Sequence, residues 1–370
     1  MTVFSDDAAV MQFAMRLAER GTGLVEPNPA VGAVIVSGAR ELIAAGCHER
    51  FGAAHAEICA IEAAGERCRG ADLFVTLEPC SHFGKTPPCA DAVIAAGFRR
   101  VVIGCEDPAP HVAGRGIARL REAGVEVVTG VCGSDAERLI APFRMLFCSQ
   151  RPWVHAKWAM SLDGRIATFR RHSRWISCPV SRGYVHDLRG RMDAIITGSG
   201  TVRADDPLLT ARPSGPRTAV RVILNARGDS ITQHSRLWQS VAEAPILVCV
   251  SDAADAATLT ALQRRGIEVI RMATDAAGRL CVADVLTELG RRRCTHVLLE
   301  AGAAVTGAFF DAGLIDELHV FIGPKLIGGA GAISAIGGTG RAEVPQVPDL
   351  CRIRWSESGT DMLVRADVCR

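Results

Sequence analysis

Three short motifs carry the side chains of one metal site. His55-Ala56-Glu57 begins a helix-like segment, Pro79-Cys80 ends a strand-like run, and Pro88-Cys89 begins a second helix-like segment. One imidazole and two thiolates suit the borderline-soft Zn²⁺ ion and leave a fourth position for water, whose pKa the metal can lower to about 7. The motifs therefore predict zinc ligands at His55, Cys80 and Cys89.

Glu57 lies two residues beyond His55, near enough to take a proton from the activated water and return it to a leaving amine. This arrangement predicts hydrolytic deamination at an amidine carbon. A lone His-x-Glu is common by chance and a buried cysteine is usually a small hydrophobic residue, so the prediction depends on the conjunction of the motifs. A closed structural zinc site is the alternative, with His82, Cys59 or Cys68 as the fourth ligand.

The first part of the chain alternates strand-like and helix-like runs, which predicts an α/β layer with a largely buried sheet. An amphipathic helix comes first, with Ser5 as its N-cap and Gly21 at its close. The strand-like runs are 31–36, 72–77, 100–104 and 125–129, and the helix-like runs are 55–64, 89–96 and 116–123. We expect one domain over residues 1–147 and a second over 148–370.

The second part starts a new α/β pattern. Its strand candidates are 153–159, 193–197, 219–224, 246–250, 267–270, 296–299 and 317–322, with helices between most of them. The runs 351–357 and 361–366 have no helix between them, so we expect a hairpin at the sheet edge. Residues 328–340 contain six glycines and are interpreted as a mobile loop.

Two glycine-containing corners of the second part could bind phosphate. No G-x-G-x-x-G motif follows a first strand, so an ordinary Rossmann domain is not supported. Gly198-Ser199-Gly200-Thr201 and the run 302–307 each follow a strand and present backbone N–H groups where anions bind. Each is a weak signal alone, since glycine after a strand most often only turns the chain.

Charge and composition exclude several classes of protein. Lys and Arg number 42 against 40 Asp and Glu, so the net charge of +2 is far below what extensive phosphate neutralisation needs, and 18 aromatic residues leave little for base stacking. We expect no nucleic-acid partner. The first ten residues lack a basic segment and the apolar runs are strand-sized, so we expect a cytoplasmic protein without a membrane span. Its 14 cysteines are expected to be free or metal-bound thiols.

The first part resembles the deaminase half of the bifunctional RibD family of riboflavin biosynthesis. Eight residues separate Cys80 from Cys89, where general cytidine deaminases have two. The likeness also includes Asn28-Pro29-Ala30-Val31-Gly32-Ala33-Val34, Glu106-Asp107-Pro108 and Gly114-Arg115-Gly116. The resemblance implies a cytidine-deaminase-like α/β/α domain with Glu57 as the proton shuttle. It also implies that Asn28, His82 and Thr86 help to seat a pyrimidine and its ribose phosphate.

Two positions depart from the family pattern. Lys85 stands where arginine is expected, which keeps positive charge but loses the bidentate fork of a guanidinium. Ala109 stands where asparagine is expected and removes a polar group from a loop. Neither departure affects the predicted zinc chemistry.

The second part resembles the reductase domain of the same family, whose α/β fold is similar to dihydrofolate reductase. The motifs are Lys157-Trp-Ala-Met-Ser-Leu-Asp-Gly-Arg165, Ser173-Arg-Trp-Ile-Ser177, the run 203–212 and Glu300-Ala-Gly302. The resemblance implies NADPH contacts from Ala159, Trp175, Thr201, Asp205 and a loop comprising Gly302, Ala303, Ala304, Val305, Thr306, Gly307 and Ala308. It implies substrate contacts from Ser173, Arg189, Leu209, Arg212 and Glu300.

The residue types agree with that chemistry. Arg189 and Arg212 suit a 5′-phosphate because a guanidinium matches phosphate geometry, and Asp205 could orient ribose hydroxyls. A solvated surface pair is the alternative interpretation of these arginines. Asn225-Ala226 replaces an expected Asp-Ser pair near the cofactor, so one NADPH contact is expected to be missing or made by the backbone.

The sequence therefore predicts a bifunctional enzyme with a zinc ion and NADPH. It deaminates 2,5-diamino-6-ribosylamino-4(3H)-pyrimidinone 5′-phosphate and then reduces the ribosyl chain, giving 5-amino-6-ribitylamino-uracil 5′-phosphate. A base deaminase acting on tRNA or DNA is one alternative, and a protein in which one domain only binds a nucleotide ligand is another. We expect a small-molecule substrate and a homo-oligomer.

Overall fold

The computed structural model describes residues 2–83, 87–109 and 113–369. The chain divides into two compact units, Met1–Gln150 and Arg151–Arg370. Both contain parallel strands and helices, which confirms the α/β prediction. Within the described residues, no helix is both long enough and apolar enough to cross a membrane.

The first unit is built on a mixed five-stranded sheet in the order β2-β1-β3-β4-β5, in which β1 is antiparallel to both neighbours and the remaining pairs are parallel. Its elements are α1 (Asp7–Ala18), β1 (Gly32–Val36), β2 (Leu42–Cys47), α2 (Ala56–Ala64), β3 (Asp72–Leu77), α3 (Cys89–Ala96), β4 (Arg100–Cys105), α4 (Arg115–Glu122), β5 (Glu126–Thr129), α5 (Gly133–Leu139) and α6 (Ala141–Ser149), with 3₁₀ turns at Glu19–Gly21 and Gly65–Cys68. Two apolar clusters pack on the sheet, one including residues of α2, α3 and α4 and the other including residues of α1 and α5.

The start of α1 differs from the prediction by one residue. Asp6, and not Ser5, is the N-cap, because its carboxylate accepts a hydrogen bond from the Ala9 backbone N–H at 2.8 Å. The Ser5 hydroxyl instead contacts the Asp6 carboxylate. The side chain that reaches the unsatisfied N–H groups of the first turn sets the beginning of the helix.

The second unit contains a nine-stranded sheet in the order β11-β10-β9-β8-β12-β6-β13-β16-β15 and a small sheet of β14 and β7. Its elements are β6 (Trp153–Ser161), β7 (Arg165–Ala167), α7 (Pro179–Arg189), β8 (Ala194–Gly198), α8 (Ser199–Asp205), β9 (Val220–Leu224), α9 (Arg236–Gln239), β10 (Ile246–Val250), α10 (Ala256–Arg264), β11 (Glu268–Arg271), α11 (Val282–Arg291), β12 (His296–Leu299), α12 (Ala303–Asp311), β13 (Glu317–Gly323), β14 (Ile333–Ser334), β15 (Leu350–Ser358) and β16 (Asp361–Val368), with a 3₁₀ turn at Val344–Gln346. In the spatial order of the sheet, every neighbouring pair from β11 through β13 is parallel. The strand β16 is antiparallel to β13, and β15 and β16 form the predicted antiparallel edge hairpin.

The expected loop of residues 302–308 is mostly helical. Gly302 is the N-cap of α12, and the six residues after it form the first turns of the helix. Alanine favours this conformation. Gly307 fits inside the helix because it packs against the glycine-rich segment, where a Cβ on Gly307 would lie 2.3 Å from the Gly337 carbonyl carbon.

The glycine-rich segment, residues 328–340, is held by hydrogen bonds, whereas the sequence predicts a mobile loop. Asp163 accepts backbone hydrogen bonds from Ile327 at 3.0 Å and Gly328 at 2.7 Å. Asp311 accepts from Thr339 and Gly340 at 2.7 and 3.0 Å. Within the segment, β14 pairs with β7.

Cys351 and Cys369 form a disulfide, although free or metal-bound thiols were expected. The hairpin accounts for the pairing, because it places Cys351 opposite Asp367 on β16 and brings the Cα atoms of the two cysteines to 6.1 Å. Twelve other cysteines are free.

The first helix and the first strand approach so closely that only glycine fits between them. A Cβ on Gly32 would lie 2.0 Å from the carbonyl oxygen of Ala14 in α1. The Gly32 backbone N–H also donates to the Thr76 hydroxyl of β3 at 3.2 Å. An added methyl group must therefore displace backbone, which is the costly kind of overpacking.

Replacing Gly32 with alanine should lower the free energy of unfolding by about 2–3 kcal/mol, because α1 must move away from the sheet. Urea denaturation of the full chain measures this loss. Gly38→Ala is the matched control, since a Cβ at Gly38 meets nothing within 4 Å, and its effect should be within about 0.5 kcal/mol. Equal stability of the two variants would contradict the close packing.

Candidate active sites

The zinc ligands predicted in the first unit meet at the ends of three elements. His55 is the N-cap of α2, Cys89 is the first residue of α3, and Cys80 lies three residues beyond β3. His55 Nδ1 lies 3.2 Å from Cys89 Sγ and 3.7 Å from Cys80 Sγ. These separations fit three ligands of one tetrahedral zinc ion, for which Zn–S is about 2.3 Å and Zn–N about 2.0–2.1 Å.

The cysteine thiols differ in their surroundings. The hydrogen bond with Cys89 lowers the pKa of Cys80 most, and the bond with His55 adds to this, although burial acts in the opposite direction. The Cys89 backbone N–H also donates to Cys80 Sγ at 3.3 Å. Cys80 therefore favours the thiolate form that a metal binds.

Glu57 is buried in the first turn of α2, two residues from His55. Burial raises the pKa of its carboxyl group to about 7. Its carboxyl group interacts with the Cys89 thiol, so it lies beside the three ligands. A carboxyl group with a pKa near neutrality is suited to both accepting and donating a proton.

The three residues considered as a fourth zinc ligand, Cys59, Cys68 and His82, do not join the ligand cluster. Among the described residues, the cluster consists of His55, Cys80 and Cys89. The thiols of Cys59 and Cys68 instead point to the backbone carbonyls of Ala54 and Ile61 at 3.9 Å. His82 is exposed two residues beyond Cys80. This geometry favours an open site over a closed structural one.

Asn28 contacts a residue that sequence reasoning missed. Asn28 Nδ2 lies 3.2 Å from His48 Nε2, and the His48 ring meets the His55 ring edge-on with centroids 5.4 Å apart. Burial lowers the pKa of His48, which keeps it neutral. The only feature of the sequence that could have pointed to His48 is its position seven residues before His55. Thr86 and Lys85 lie outside the described residues.

Glu78 connects β3 to the loop before α4. Its buried carboxylate accepts four backbone hydrogen bonds, from Asp107, Gly114, Gly116 and Ile117, at 2.8 to 3.2 Å. A Cβ on Gly116 would lie 2.1 Å from the Pro79 carbonyl oxygen, so glycine permits this approach. The carboxylate thereby fixes the backbone just before Cys80.

In the second unit, two predicted substrate residues form an ion pair with each other. Arg189 Nε and Nη2 donate to the two oxygens of Glu300 at 2.6 and 2.8 Å, and Lys157 Nζ lies 3.8 Å from Glu300. Burial would raise the pKa of Glu300, but Arg189 and Lys157 together lower it to about 2. Lys157, the first residue of the motif 157–165, is therefore also part of this cluster, a role that its motif does not predict.

A cavity of about 350 Å³ lies beside this ion pair. Its lining includes Arg189, Leu209, Thr210, Arg212 and Arg217. Leu209 is buried with a left-handed backbone, φ 55°, and the Arg212 guanidinium donates to the Thr210 hydroxyl at 2.8 Å. Glu243 also lines the cavity, Arg189 pairs with Glu300 and Arg217 pairs with Asp193, so among these three arginines Arg212 is the one whose charge is most available to an anionic ligand.

The predicted cofactor residues lie near the carboxyl ends of the parallel strands, where open α/β sheets bind ligands. The Gly302 N–H donates to the Thr201 hydroxyl at 3.1 Å, which joins the corners after β12 and β8. Ser173 donates to Asp205 at 3.4 Å. Ala159 is half-buried on β6, and the Trp175 ring is 59% exposed beneath the Arg182 guanidinium, 4.5 Å from it.

The remaining predicted cofactor residues lie on α12 and differ in their exposure to solvent. Ala304 is exposed, and Ala303, Val305 and Ala308 are half-buried. Thr306 and Gly307 are buried, with Gly307 against the glycine-rich segment. These two residues therefore face away from solvent.

Two family models match the chain. The model described as RibD C-terminal domain matches residues 152–364, and that described as cytidine and deoxycytidylate deaminase zinc-binding region matches residues 4–105. These matches confirm the predicted cytidine-deaminase-like first domain and the predicted dihydrofolate-reductase-like second domain.

Relatives match over nearly the whole chain. The riboflavin biosynthesis protein RibD of Bacillus amyloliquefaciens is 42% identical over 358 residues, covering 96% of this chain and 95% of the relative. Its Escherichia coli K12 counterpart is 39% identical over 337 residues, covering 87% and 89%.

Solved structures are similar as well. Acinetobacter baumannii RibD, form 1, has a TM-score of 0.82 and 32% identity, covering 98% of this chain and 99% of that one. The diaminohydroxyphosphoribosylaminopyrimidine deaminase/5-amino-6-(5-phosphoribosylamino)uracil reductase of Thermotoga maritima has a TM-score of 0.81 and 36% identity, covering 98% of both chains.

Replacing Arg189 with methionine should leave the Glu300 carboxylate beside Lys157 alone and cost about 3–5 kcal/mol in unfolding free energy at neutral pH. The folded protein lowers the pKa of Glu300 from its ordinary 4.5 to about 2, so this contribution is complete above pH 4.5 and lost as the pH falls toward 2. The difference between wild type and variant should therefore shrink below pH 4.5, as measured by urea denaturation at several pH values.

The control for this prediction is Arg279→Met, which removes an exposed ion pair with Asp275. Its unfolding free energy should stay close to the wild-type value. A loss in Arg189→Met that does not change with pH would contradict the assignment to Glu300.

Proposed function

The chain belongs to the RibD family of riboflavin biosynthesis proteins, which combine a zinc-dependent deaminase with an NADPH-dependent reductase, and from this we propose how its residues divide the two reactions. The first unit deaminates the diaminopyrimidine ribotide. The second reduces the ribosyl chain of the resulting uracil to ribityl. The observation that carries this proposal is the cluster of His55, Cys80 and Cys89 together with the buried Glu57 carboxyl group that interacts with all three.

In the deaminase, His55, Cys80 and Cys89 would hold the zinc ion through Nδ1 and two sulfurs. Zinc supplies, when bound, the activation of a water molecule for attack on the carbon that carries the amino group. Glu57 accepts a proton from the attacking water and delivers one to the departing ammonia. Its burial in α2 holds the carboxyl group in place and limits competition from bulk water.

Asn28, His82 and Thr86 are our proposed contacts to the pyrimidine and its ribose phosphate, and His48 is added as the residue that positions Asn28. His48 Nδ1 lies 2.9 Å from the Ala54 carbonyl oxygen, and its Nε2 lies 3.2 Å from Asn28 Nδ2. A neutral imidazole can donate at the first nitrogen and accept from Asn28 at the second, which leaves the Asn28 carbonyl oxygen for the base. His82 is supported by its exposure beside Cys80.

In the reductase, we propose that Arg212 makes the main contact to the 5′-phosphate. Arg189 lines the same cavity, but two of its nitrogens already bond to Glu300. Arg189 and Lys157 keep Glu300 ionised, so its carboxylate can accept hydrogen bonds from ribose hydroxyls. Ser173 and Leu209 complete the proposed substrate contacts.

NADPH supplies the hydride when it is bound, and its proposed contacts lie near the carboxyl ends of β6, β8 and β12. The corner where Gly302 donates to Thr201 begins α12, whose first turn can bind a phosphate group. Asp205, Ala159 and the exposed Trp175 are proposed around it. The half-buried and exposed residues Ala303, Ala304, Val305 and Ala308 remain in the proposed set. Thr306 and Gly307 remain in the proposed set only as buried residues that shape the turn, because the Thr306 N–H bonds to the Gly302 carbonyl and Gly307 packs against Gly337.

We also propose a cytoplasmic homo-oligomer. Although Cys351 and Cys369 form a disulfide, the twelve other cysteines are free, and this balance favours a reducing compartment. Trp355 and Ile353 are 65% and 45% exposed on β15 at the sheet edge, and such an apolar edge favours burial against another copy.

Replacing Glu57 with glutamine should reduce deamination by at least about 1,000-fold, because no group remains to move the proton. Ammonia release from the diaminopyrimidine ribotide measures this step. Zinc content should be unchanged, and NADPH oxidation with the preformed uracil substrate should continue at the wild-type rate.

Glu62→Gln is the matched control for that variant, because Glu62 is exposed on the same helix α2. Its rate of ammonia release should equal that of the wild type. Normal deamination by the Glu57 variant would overturn the proposed proton transfer.

Replacing Arg212 with alanine should raise the KM of the reductase for its phosphorylated substrate by about 10- to 100-fold, since a charge-assisted bond to phosphate is lost. NADPH absorbance follows this reaction. Ammonia release should be unaffected, and a substrate without its phosphate should be reduced equally slowly by both proteins. Loss of both activities would contradict the assignment of Arg212 to the reductase.

A further inference from the structure

A second cluster of metal-ligating side chains lies in the reductase unit, away from the proposed active site. His155 on β6 is next to Glu317 on β13 in the parallel register, and His319 follows two residues later on the same face. All three are buried, with 7%, 4% and 2% of their surface exposed. Neither proposed reaction uses them.

The donor atoms of this cluster converge. His155 Nδ1 lies 3.2 Å from Glu317 Oε2, His319 Nε2 lies 3.2 Å from Glu317 Oε1, and the two ring nitrogens are 3.4 Å apart. Nitrogen or oxygen ligands at about 2.0–2.1 Å from a tetrahedral zinc ion are about 3.3–3.4 Å apart. The two ring nitrogens lie at this spacing, and one Glu317 oxygen can serve as the third ligand, since each residue offers one ligand atom and the three lie within 4.8 Å of one another.

The outer ring nitrogens have partners that would orient the ligands. His155 Nε2 lies 3.0 Å from His296 Nδ1, and His319 Nδ1 lies 3.1 Å from the Tyr184 hydroxyl on α7. Trp153 Nε1 donates to Glu317 Oε2 at 3.4 Å. Histidines that bind metal almost always use the second ring nitrogen in this way, which fixes the ring and its tautomer.

We propose that His155, Glu317 and His319 form a second zinc site, with a structural role. Two neutral imidazoles and one carboxylate are a set that zinc accepts. The ion would join β6 and β13 under α7. Arg365 Nη2 contacts Glu317 Oε1 at 3.4 Å and opposes a cation, but its side chain is 42% exposed and can turn to solvent.

The position of the cluster separates it from the reductase chemistry. His155 is the third residue of β6 and Glu317 the first of β13, so the cluster lies where these strands begin. The proposed cofactor residues lie near the opposite ends. From His155 to Ser161 the strand extends about 20 Å. The alternative is a metal-free network in which both imidazoles donate to Glu317.

The test measures zinc in the full chain by mass spectrometry after growth with added zinc and removal of loose metal. Wild type should hold two equivalents, and the double variant His155→Ala, His319→Ala should hold one. The variant Cys80→Ser, Cys89→Ser should also hold one. With cobalt in place of zinc, the first of these variants should keep the sulfur-to-cobalt absorption, and the second should lose it. His234→Ala, an exposed histidine, is the control and should hold two.

Two milder variants keep the proposal testable if the double variant does not fold. Tyr184→Phe should release the second equivalent at about 10- to 100-fold lower chelator concentration, because an outer partner of His319 is lost. Arg365→Gln should retain that equivalent at higher chelator concentration than wild type. The site would be overturned in favour of the metal-free network if wild type held a single equivalent of zinc. The same would follow if Tyr184→Phe and Arg365→Gln both released the second equivalent at the wild-type chelator concentration. Neither result bears on the zinc ion at Cys80 and Cys89.

Discussion

Buried carboxylates directly after buried strands organise both proposed active sites. Glu78 follows the last residue of β3, and Glu300 follows the last residue of β12. Each strand is followed by one pair of carboxyl oxygens at the point where the chain leaves the sheet. A buried carboxylate needs several hydrogen-bond donors to offset its lost hydration. It therefore holds together segments that are distant in the sequence.

The two carboxylates meet this need differently. Glu78 accepts hydrogen bonds from backbone N–H groups of the loop after β4 and of the first turn of α4, so it positions main chain beside the proposed zinc ligands. Glu300 pairs with two side-chain cations, Arg189 and Lys157, so it stays ionised beside the cavity that Arg189 and Arg212 line. The arrangement at Glu78 fixes the position of the backbone, whereas the arrangement at Glu300 sets the charge of the carboxyl group.

The sequence predicts best what is local. His55, Cys80 and Cys89 each lie at a strand end or helix start with a short signature, so the fold class could be inferred, and the structure brings together the three side chains that the sequence predicts as ligands. The strand β2 was missed because Leu-Ile-Ala-Ala-Gly-Cys contains few β-branched residues. The cluster of His155, Glu317 and His319 could not be found, because strand register alone brings together residues more than 150 positions apart.

The glycine-rich segment of the second unit is held at its ends and also in between. Asp163 and Asp311 bind backbone N–H groups at the two ends, β14 pairs with β7, and the Gly337 N–H donates to the Ala303 carbonyl. Doubling the length of a flexible loop costs only about 0.6 kcal/mol in closure entropy. Insertions are therefore inexpensive only at the exposed residues 329–330, between the first anchor and β14, and an engineered tag or sensor peptide placed there would leave the sheet of the reductase unit intact.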